Sequence, residues 1–282
     1  MPELPEVETV CQGLNQVTLA QPIQGGDVLL SRTIAYPVSV DEFLAGLQDS
    51  AIAQWQRRGK YLLAQLTRSD GDKGGWLGVH LRMSGQLLWS DRHKSLQKHT
   101  RVRLFFPENR ELRFVDQRTF GRMWWIPPSE KPETIITGLQ KLGPEPFSAD
   151  FSVDYLQKKL QKSQRLIKTA LLDQALVAGV GNIYADEALF LSGIRPDTPS
   201  ATLTLEQIER LRSAVIQVLQ AGIDAGGTTF SSFRNVGGIN GNYSGVAWVY
   251  GRAREPCRVC NSAIERLKLA GRSSHFCPNC QS

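Results

Sequence analysis

Apolar residues recur at helical spacing at the very start of the chain: Leu4, Val7, Val10, Cys11 and Leu14 fall on one face, which predicts an amphipathic helix. From Asp27 onward the period shortens. Apolar or alternating runs at Asp27–Ser31, Ala51–Arg57, Tyr61–Leu66, Trp76–Leu81, Gln86–Trp89, Val102–Phe106, Glu111–Val115 and Arg122–Ile126 predict strands, punctuated by Gly59, Gly71, Gly74, Gly85, Pro107 and Asn109. Such a series makes a β-sandwich or flattened barrel with the first helix against it. After a proline-rich stretch, Ile126–Phe147, helical periodicity returns at Val153–Leu160, Arg165–Ala175, Ile183–Leu191 and Leu205–Ala221. Two further strand-like stretches, Ala247–Arg252 and Arg272–Phe276, each lead into a cysteine pair and suggest a β-hairpin finger. The expected organisation is α+β and multidomain: a helix-flanked β-sandwich over residues 1–130, a linker over 131–147, a helical domain over 148–246 and the finger over 247–282. A cleft between two such domains is a natural place for a ligand.

The cysteines sharpen the reading of the finger. Of five in 282 residues, Cys257, Cys260, Cys277 and Cys280 form C-x2-C-x16-C-x2-C, the spacing of a tetrahedral four-thiolate zinc site. Four cysteines crowded at one end of a long chain do not make a disulfide framework, and a redox pair is the remaining alternative. No histidine or carboxylate in the spacing offers an open coordination position, so one structural zinc ion is expected, with no organic cofactor. Cys11, on the apolar stripe of the first helix, reads as a small buried hydrophobe.

Charge suggests the partner. The chain carries 33 basic and 27 acidic residues, and from Arg252 to the end Arg252, Arg254, Arg258, Arg266, Lys268 and Arg272 face only Glu255 and Glu265. A basic, zinc-stapled hairpin suits phosphate contact, although a charged solvated face has the same composition. There is no run of about eighteen apolar residues and no basic-then-apolar leader, so a soluble, unexported chain with no membrane partner is expected.

Candidate chemistry begins at the second residue. Removal of Met1 would leave Pro2 as a secondary amine beside the Glu3 carboxylate, a nucleophile able to attack an electrophilic carbon and collapse to a charged iminium. The same residues also make an ordinary helix start, with Pro5 in the first turn and Glu6 and Glu8 near the positive end. Arg57-Arg58-Gly59-Lys60 places cations at a strand-to-strand turn, where Lys60 could help keep the Pro2 amine neutral. His80-Leu81-Arg82-Met83-Ser84-Gly85 offers a flexible apolar side chain at a turn, and Arg118 and Phe120, two apart, share a face if extended. An apolar wedge beside an arginine is what unstacking a base requires. Gly179-Val180-Gly181-Asn182 opens an apolar helix whose amides could seat a phosphate.

These segments, with Leu142-Gly143-Pro144-Glu145-Pro146 and the four-cysteine finger, occur in the order seen in bacterial formamidopyrimidine-DNA glycosylases, which the sequence resembles from end to end. The resemblance implies a monomeric, bacterial cytosolic enzyme, nucleoid-associated when acting. It would remove 8-oxoguanine and formamidopyrimidines from damaged double-stranded DNA and cleave the abasic strand by β,δ-elimination. It also implies a C-terminal helix-two-turns-helix domain ending in the zinc finger. By the same resemblance Pro2 is the nucleophile, Glu3 the acid assisting sugar-ring opening, and Lys60 a lysine serving the site and its phosphates. His80, Asn182 and Arg272 match phosphate-gripping positions, Arg272 also aiding δ-elimination. Met83, Arg118 and Phe120 match the side chains that fill the hole left by an everted nucleotide, and His99 a further DNA contact.

A DNA-contacting lysine of some relatives falls on Ser163 here, so Lys168 is carried as the nearby contact. The segment Gly226–Ser244 resembles the loop that closes over the lesion. Endonuclease VIII, which prefers oxidised pyrimidines, shares the proline and the finger, but Leu4, Met83 and the Arg118-x-Phe120 pair favour the purine enzyme. A non-catalytic zinc protein that binds damaged DNA would have no use for a free Pro2 amine, and a zinc hydrolase would need an open metal position.

Overall fold

The computed structural model describes residues 1–228 and 234–282, and the chain folds as two compact units, residues 1–140 with 225–242 and residues 141–224 with 243–282. In the first unit, α1 (Leu4–Val17) buries the apolar stripe expected of it, with Leu4, Val7, Val10 and Leu14 fully enclosed. Its start is fixed by a capping box in which the Glu6 carboxylate accepts the Glu3 amide at 2.8 Å. Next come β1 (Gly25–Val28), β2 (Ile34–Tyr36), α2 (Val40–Leu47), β3 (Ser50–Arg58), β4 (Tyr61–Arg68), β5 (Lys73–His80), β6 (Gly85–Asp91), β7 (Thr100–Phe106), β8 (Arg110–Asp116) and β9 (Arg122–Ile126). Two short helices, α3 (Pro132–Ile135) and α4 (Thr137–Gln140), follow within the proline-rich stretch.

The strands form two sheets, β1-β7-β8-β6 and β2-β9-β5-β4-β3, antiparallel except for β2 with β9. Val102, Leu104, Phe106, Leu112 and Phe114 from the first sheet and Leu62, Ala64, Leu77 and Val79 from the second share one core with the α1 stripe. Periodicity misses α2, an eight-residue helix that rests on a cap, the Ser39 hydroxyl accepting the Glu42 amide at 3.3 Å. Its Gly46 is required because any Cβ there would overlap the Trp125 ring.

Residues 225–242, which the sequence reading places with the helical domain, pack in this first unit. Thr228 donates its amide to Glu6 Oε1 at 2.8 Å, Trp89 donates to the Val236 carbonyl at 3.0 Å, and Val236 enters the core. The stretch expected to cover a lesion, 226–244, is described except for residues 229–233, which lie outside the described residues.

The second unit contains α5 (Val153–Leu160), α6 (Ile167–Leu171), α7 (Asn182–Ser192) and α8 (Leu205–Asp224), followed by β10 (Glu265–Leu269) and β11 (Arg272–Phe276). Helix α6 is shorter than the apolar period suggests, because Asp173 draws the Ala175 amide to its own carboxylate at 3.0 Å and pairs with Arg165 at 2.5 Å. α7 is apolar nearly all round and packs on α8, where Gly222 leaves room for the Tyr184 ring.

Ala247–Arg252 is not a strand. The amides of Trp248, Val249 and Tyr250 all converge on the Glu187 carboxylate at 2.7–2.9 Å, whereas successive amides of a strand point in opposite directions. The hairpin is made instead by β10 and β11, joined through Ala270 and Gly271, both at positive φ. Among the described residues no helix is long and apolar enough to cross a membrane.

Candidate active site

The start of α1 is enclosed: Pro2 is buried, Glu3 is 3 % exposed and Glu6 2 %. With Met1 attached, the Pro2 nitrogen is a tertiary amide whose lone pair is delocalised, so nucleophilic use requires its release. Glu6, read from the sequence only as an acid near the positive end of the helix, holds this corner with both oxygens, taking the Glu3 amide on Oε2 and the Thr228 amide on Oε1. Its signal was the capping-box spacing of two acids at the helix start. The β3–β4 turn bearing Lys60 is fastened to the same helix. Arg57 Nε meets Glu8 Oε2 at 2.7 Å while Arg57 Nη1 donates to the Gly59 carbonyl at 3.2 Å. Lys60 itself is 6 % exposed.

His80 ends β5, packed edge-on against Tyr61 with ring centroids 4.4 Å apart. Burial first, then the charges of Arg82 and Lys60, depress its pKa from 6.5 to about 3. The ring is therefore neutral near pH 7. Because Nδ1 accepts the Arg82 amide at 3.0 Å, the proton belongs on Nε2, available to a phosphate oxygen.

Met83 and Phe120 are the exposed apolar residues of two neighbouring turns, and Arg118 lies over the Phe120 ring at 5.1 Å. The pair shares one side as anticipated, but not through an extended segment. Residues 117–119 bend, with Thr119 at φ 57° and its hydroxyl held by Arg32. His99 is half-buried beside Arg101 at the end of the loop 92–99. That basic loop is organised from below by Arg113, wholly buried with Glu111, whose guanidinium donates to the carbonyls of Asp91, Lys94 and Ser95 at 3.3, 2.6 and 2.8 Å.

In the second unit, Asn182 opens α7 and donates Nδ2 to the Ser273 carbonyl at 3.0 Å, while its buried Oδ1 has no hydrogen-bond partner among the described residues. Ser273 follows Arg272, which is exposed at the start of β11. Lys168 departs from its expected place as a DNA contact. It is 1 % exposed, with Nζ 2.6 Å from Asp186 Oδ1 and 2.7 Å from the Ser273 carbonyl, so its charge is spent inside the unit. Asp186 Oδ2 also accepts the His275 amide at 2.9 Å, tying α7 to β11. The next residue, Glu187, has its carboxyl raised by burial in spite of its three amide donors. Two adjacent acids inside an apolar helix are the sequence signal of this pair.

The four finger cysteines place their Sγ atoms within 4.8 Å of one another, with Cys257–Cys280 at 3.9 Å and Cys260–Cys277 at 3.4 Å. A tetrahedron of thiolates around zinc has sulfur–sulfur edges of about 3.8 Å, so the donor set fits. Four sulfur ligands leave no open position, and the metal's part is to hold the hairpin. Cys11 is a buried hydrophobe, its thiol pushed up to about 12 mainly by burial.

Three family models match the chain. The formamidopyrimidine-DNA glycosylase N-terminal domain covers residues 1–123, the formamidopyrimidine-DNA glycosylase H2TH domain residues 142–234, and the zinc finger found in FPG and IleRS residues 254–282. Among curated relatives, a formamidopyrimidine-DNA glycosylase of Acaryochloris marina is 65 % identical over 281 residues, covering 100 % of this chain and 99 % of the relative. One of Nostoc punctiforme is 67 % identical over 282 residues, covering 100 % and 96 %. Among solved structures, a Lactococcus lactis FPG mutant in complex with a Fapy-dG containing DNA superimposes with a TM-score of 0.90 at 34 % identity over 100 % of both chains. The Lactococcus lactis Fpg in complex with an abasic site containing DNA gives 0.90 at 34 % over 99 % of each, and MutM (FPG) from Thermus thermophilus gives 0.87 at 38 % over 99 % and 98 %.

Proposed function

The chain belongs to the formamidopyrimidine-DNA glycosylase family, and from that premise we infer that it is a bifunctional DNA glycosylase and abasic-site lyase of base excision repair, acting on oxidised purines in duplex DNA. The observation that carries this reading is the end-to-end match to relatives of that name, together with a neighbour of the same fold bound to Fapy-dG DNA. One structural zinc, held by Cys257, Cys260, Cys277 and Cys280, keeps the finger hairpin folded. The bacterial cytosol is the corresponding place of work.

In the proposed reaction Pro2, freed of Met1, attacks C1′ of the damaged nucleotide. The glycosidic bond breaks and the base leaves with its electron pair, taking up the proton that the prolyl nitrogen gives off. Glu3, at the helix N-cap, gives a proton to the sugar ring oxygen as the ring opens, leaving an iminium between Pro2 and C1′. The iminium acidifies C2′. Loss of that proton expels the 3′ phosphate, and a second elimination expels the 5′ phosphate, leaving a one-nucleotide gap. A neutral His80 donating through Nε2, with Lys60, Asn182 and Arg272, would hold the phosphates, while Met83, Arg118 and Phe120 fill the vacated stack.

Borohydride tests the central step. It should trap a protein–DNA adduct on duplex carrying 8-oxoguanine, with the linked peptide beginning at Pro2, and a protein retaining Met1 should give none. An adduct on Lys60 in unaltered protein, or undiminished excision by the Met1-retaining form, would overturn the assignment of the nucleophile.

A further inference from the structure

Beneath the two exposed apolar residues Met83 and Phe120 lies a buried carboxylate. Asp116, at the end of β8, is 1 % exposed and pairs in register with Gly85, the first residue of β6. Its Oδ1 accepts the Ser84 hydroxyl at 2.5 Å and the Arg118 amide at 3.2 Å, and its Oδ2 accepts the Gly121 amide at 2.8 Å. Ser84 Oγ accepts the same Arg118 amide at 2.9 Å. The Ser84 hydroxyl is thus a relay from one turn to the other. Its neighbour Met83 projects from a tight turn in which Arg82 has φ 54° and the Gly85 amide reaches back to the Leu81 carbonyl at 2.9 Å.

The backbone of Asp116 is held as well, its amide on the His99 carbonyl and its own carbonyl taking Arg101 Nε, both at 2.9 Å. Gly121 belongs to the same device, since a Cβ there would overlap the Phe114 ring and crowd Asp116 Oδ2. A buried carboxylate is costly unless its lone pairs are met. Here they are met by donors from both turns, at the root of side chains that contribute nothing to a core.

We propose that Asp116, with Ser84 as its relay, is a positioning residue that locks the Met83 turn and the Arg118–Phe120 turn into one rigid wedge, so that both enter the base stack together. This rests on the wedge reading of Met83, Arg118 and Phe120. A loose wedge must be ordered at the moment the nucleotide is extruded, and that ordering adds to the barrier of eversion alone. Attack on a pre-formed abasic site has no base to extrude and depends on it little.

The test is single-turnover kinetics of Ser84→Ala and Asp116→Asn on three duplexes: 8-oxoguanine paired with cytosine, 8-oxoguanine in an unpaired bubble, and a pre-formed abasic site. Ser84→Ala should slow excision from the paired duplex about tenfold, leave abasic cleavage within about twofold, and recover toward the parent rate in the bubble. In a Met83→Ala/Phe120→Ala background the same substitution should cost nothing further, because the element it positions is gone. Equal losses on all three substrates, or full additivity, would overturn the inference and leave Ser84–Asp116 an ordinary structural bond. Phe120→Ala separates the wedge role from the positioning role. If it fails to discriminate the substrates, wedge and positioning fall together, and if it discriminates while Ser84→Ala does not, only the positioning role falls. Should Asp116→Asn fold poorly, Ser84→Ala carries the test alone, since it removes one hydroxyl and no charge.

Discussion

At the scale of the residue, burial sets the chemistry of His80 more than sequence neighbourhood does. The folded chain holds it neutral down to about pH 3, whereas an exposed histidine takes a proton near 6.5. Between those values the unfolded chain binds a proton that the folded chain refuses, so stability is intact above about 6.5 and falls as pH is lowered toward 3. From pH 7.5 to 5 the loss from this one group is about 2 kcal/mol. His80→Asn keeps an acceptor near Nδ1 for the Arg82 amide but removes the titration, so denaturant unfolding of the variant should lose less stability than the parent over that interval. Equal slopes in both proteins would show that His80 does not contribute. Lys168 is a second case in which the fold overrides the local reading: a lysine expected to contact DNA is enclosed against Asp186 and the Ser273 carbonyl.

At the scale of the element, the stretch Ala247–Arg252 shows how one side chain overrides a local preference. Its apolar, aromatic residues favour a strand, yet Glu187, about sixty residues earlier, gathers three of its amides and bends it. Glu187→Gln places an NH2 group against at least one of those amides, leaving a buried donor unmet. The second unit should be destabilised by about 1–3 kcal/mol. Thermal unfolding together with zinc content reads the result, and a variant with unchanged Tm would mean that the amides find other acceptors. Helix α2 is the converse case, a short element fixed by its Ser39 cap and by the fit of Gly46 under Trp125.

At the scale of the whole molecule, a net charge of +6 and a basic finger supply the general attraction to the DNA backbone, on which individual grips are superimposed. Arg272 is exposed at the start of β11 and should act as such a grip. Arg272→Ala should weaken binding to all duplexes, damaged or not, and flatten the log–log salt dependence by roughly one unit. Fluorescence anisotropy at several salt concentrations checks this. A slope equal to that of the parent would remove Arg272 from the phosphate contacts.

The sequence by itself determined whatever depends on short spacing. Helix α1 follows from a five-residue apolar stripe, the strands from runs between glycines and prolines, and the metal site from two cysteine pairs, each with two residues between its members. Pro2, Lys60, Met83, Arg118 and Phe120 could be picked out as candidates because each stands in a compact local motif, whereas His99 and Lys168 came only from the resemblance. Only the tertiary structure decided which of their neighbours hold them. Asp116 reaches Ser84 across 32 positions, Glu6 reaches Thr228 across 222, and Lys168 reaches Ser273 across 105. A buried carboxylate or ammonium must find its partners wherever the fold brings donors and acceptors together, and periodicity along the chain carries no record of that meeting.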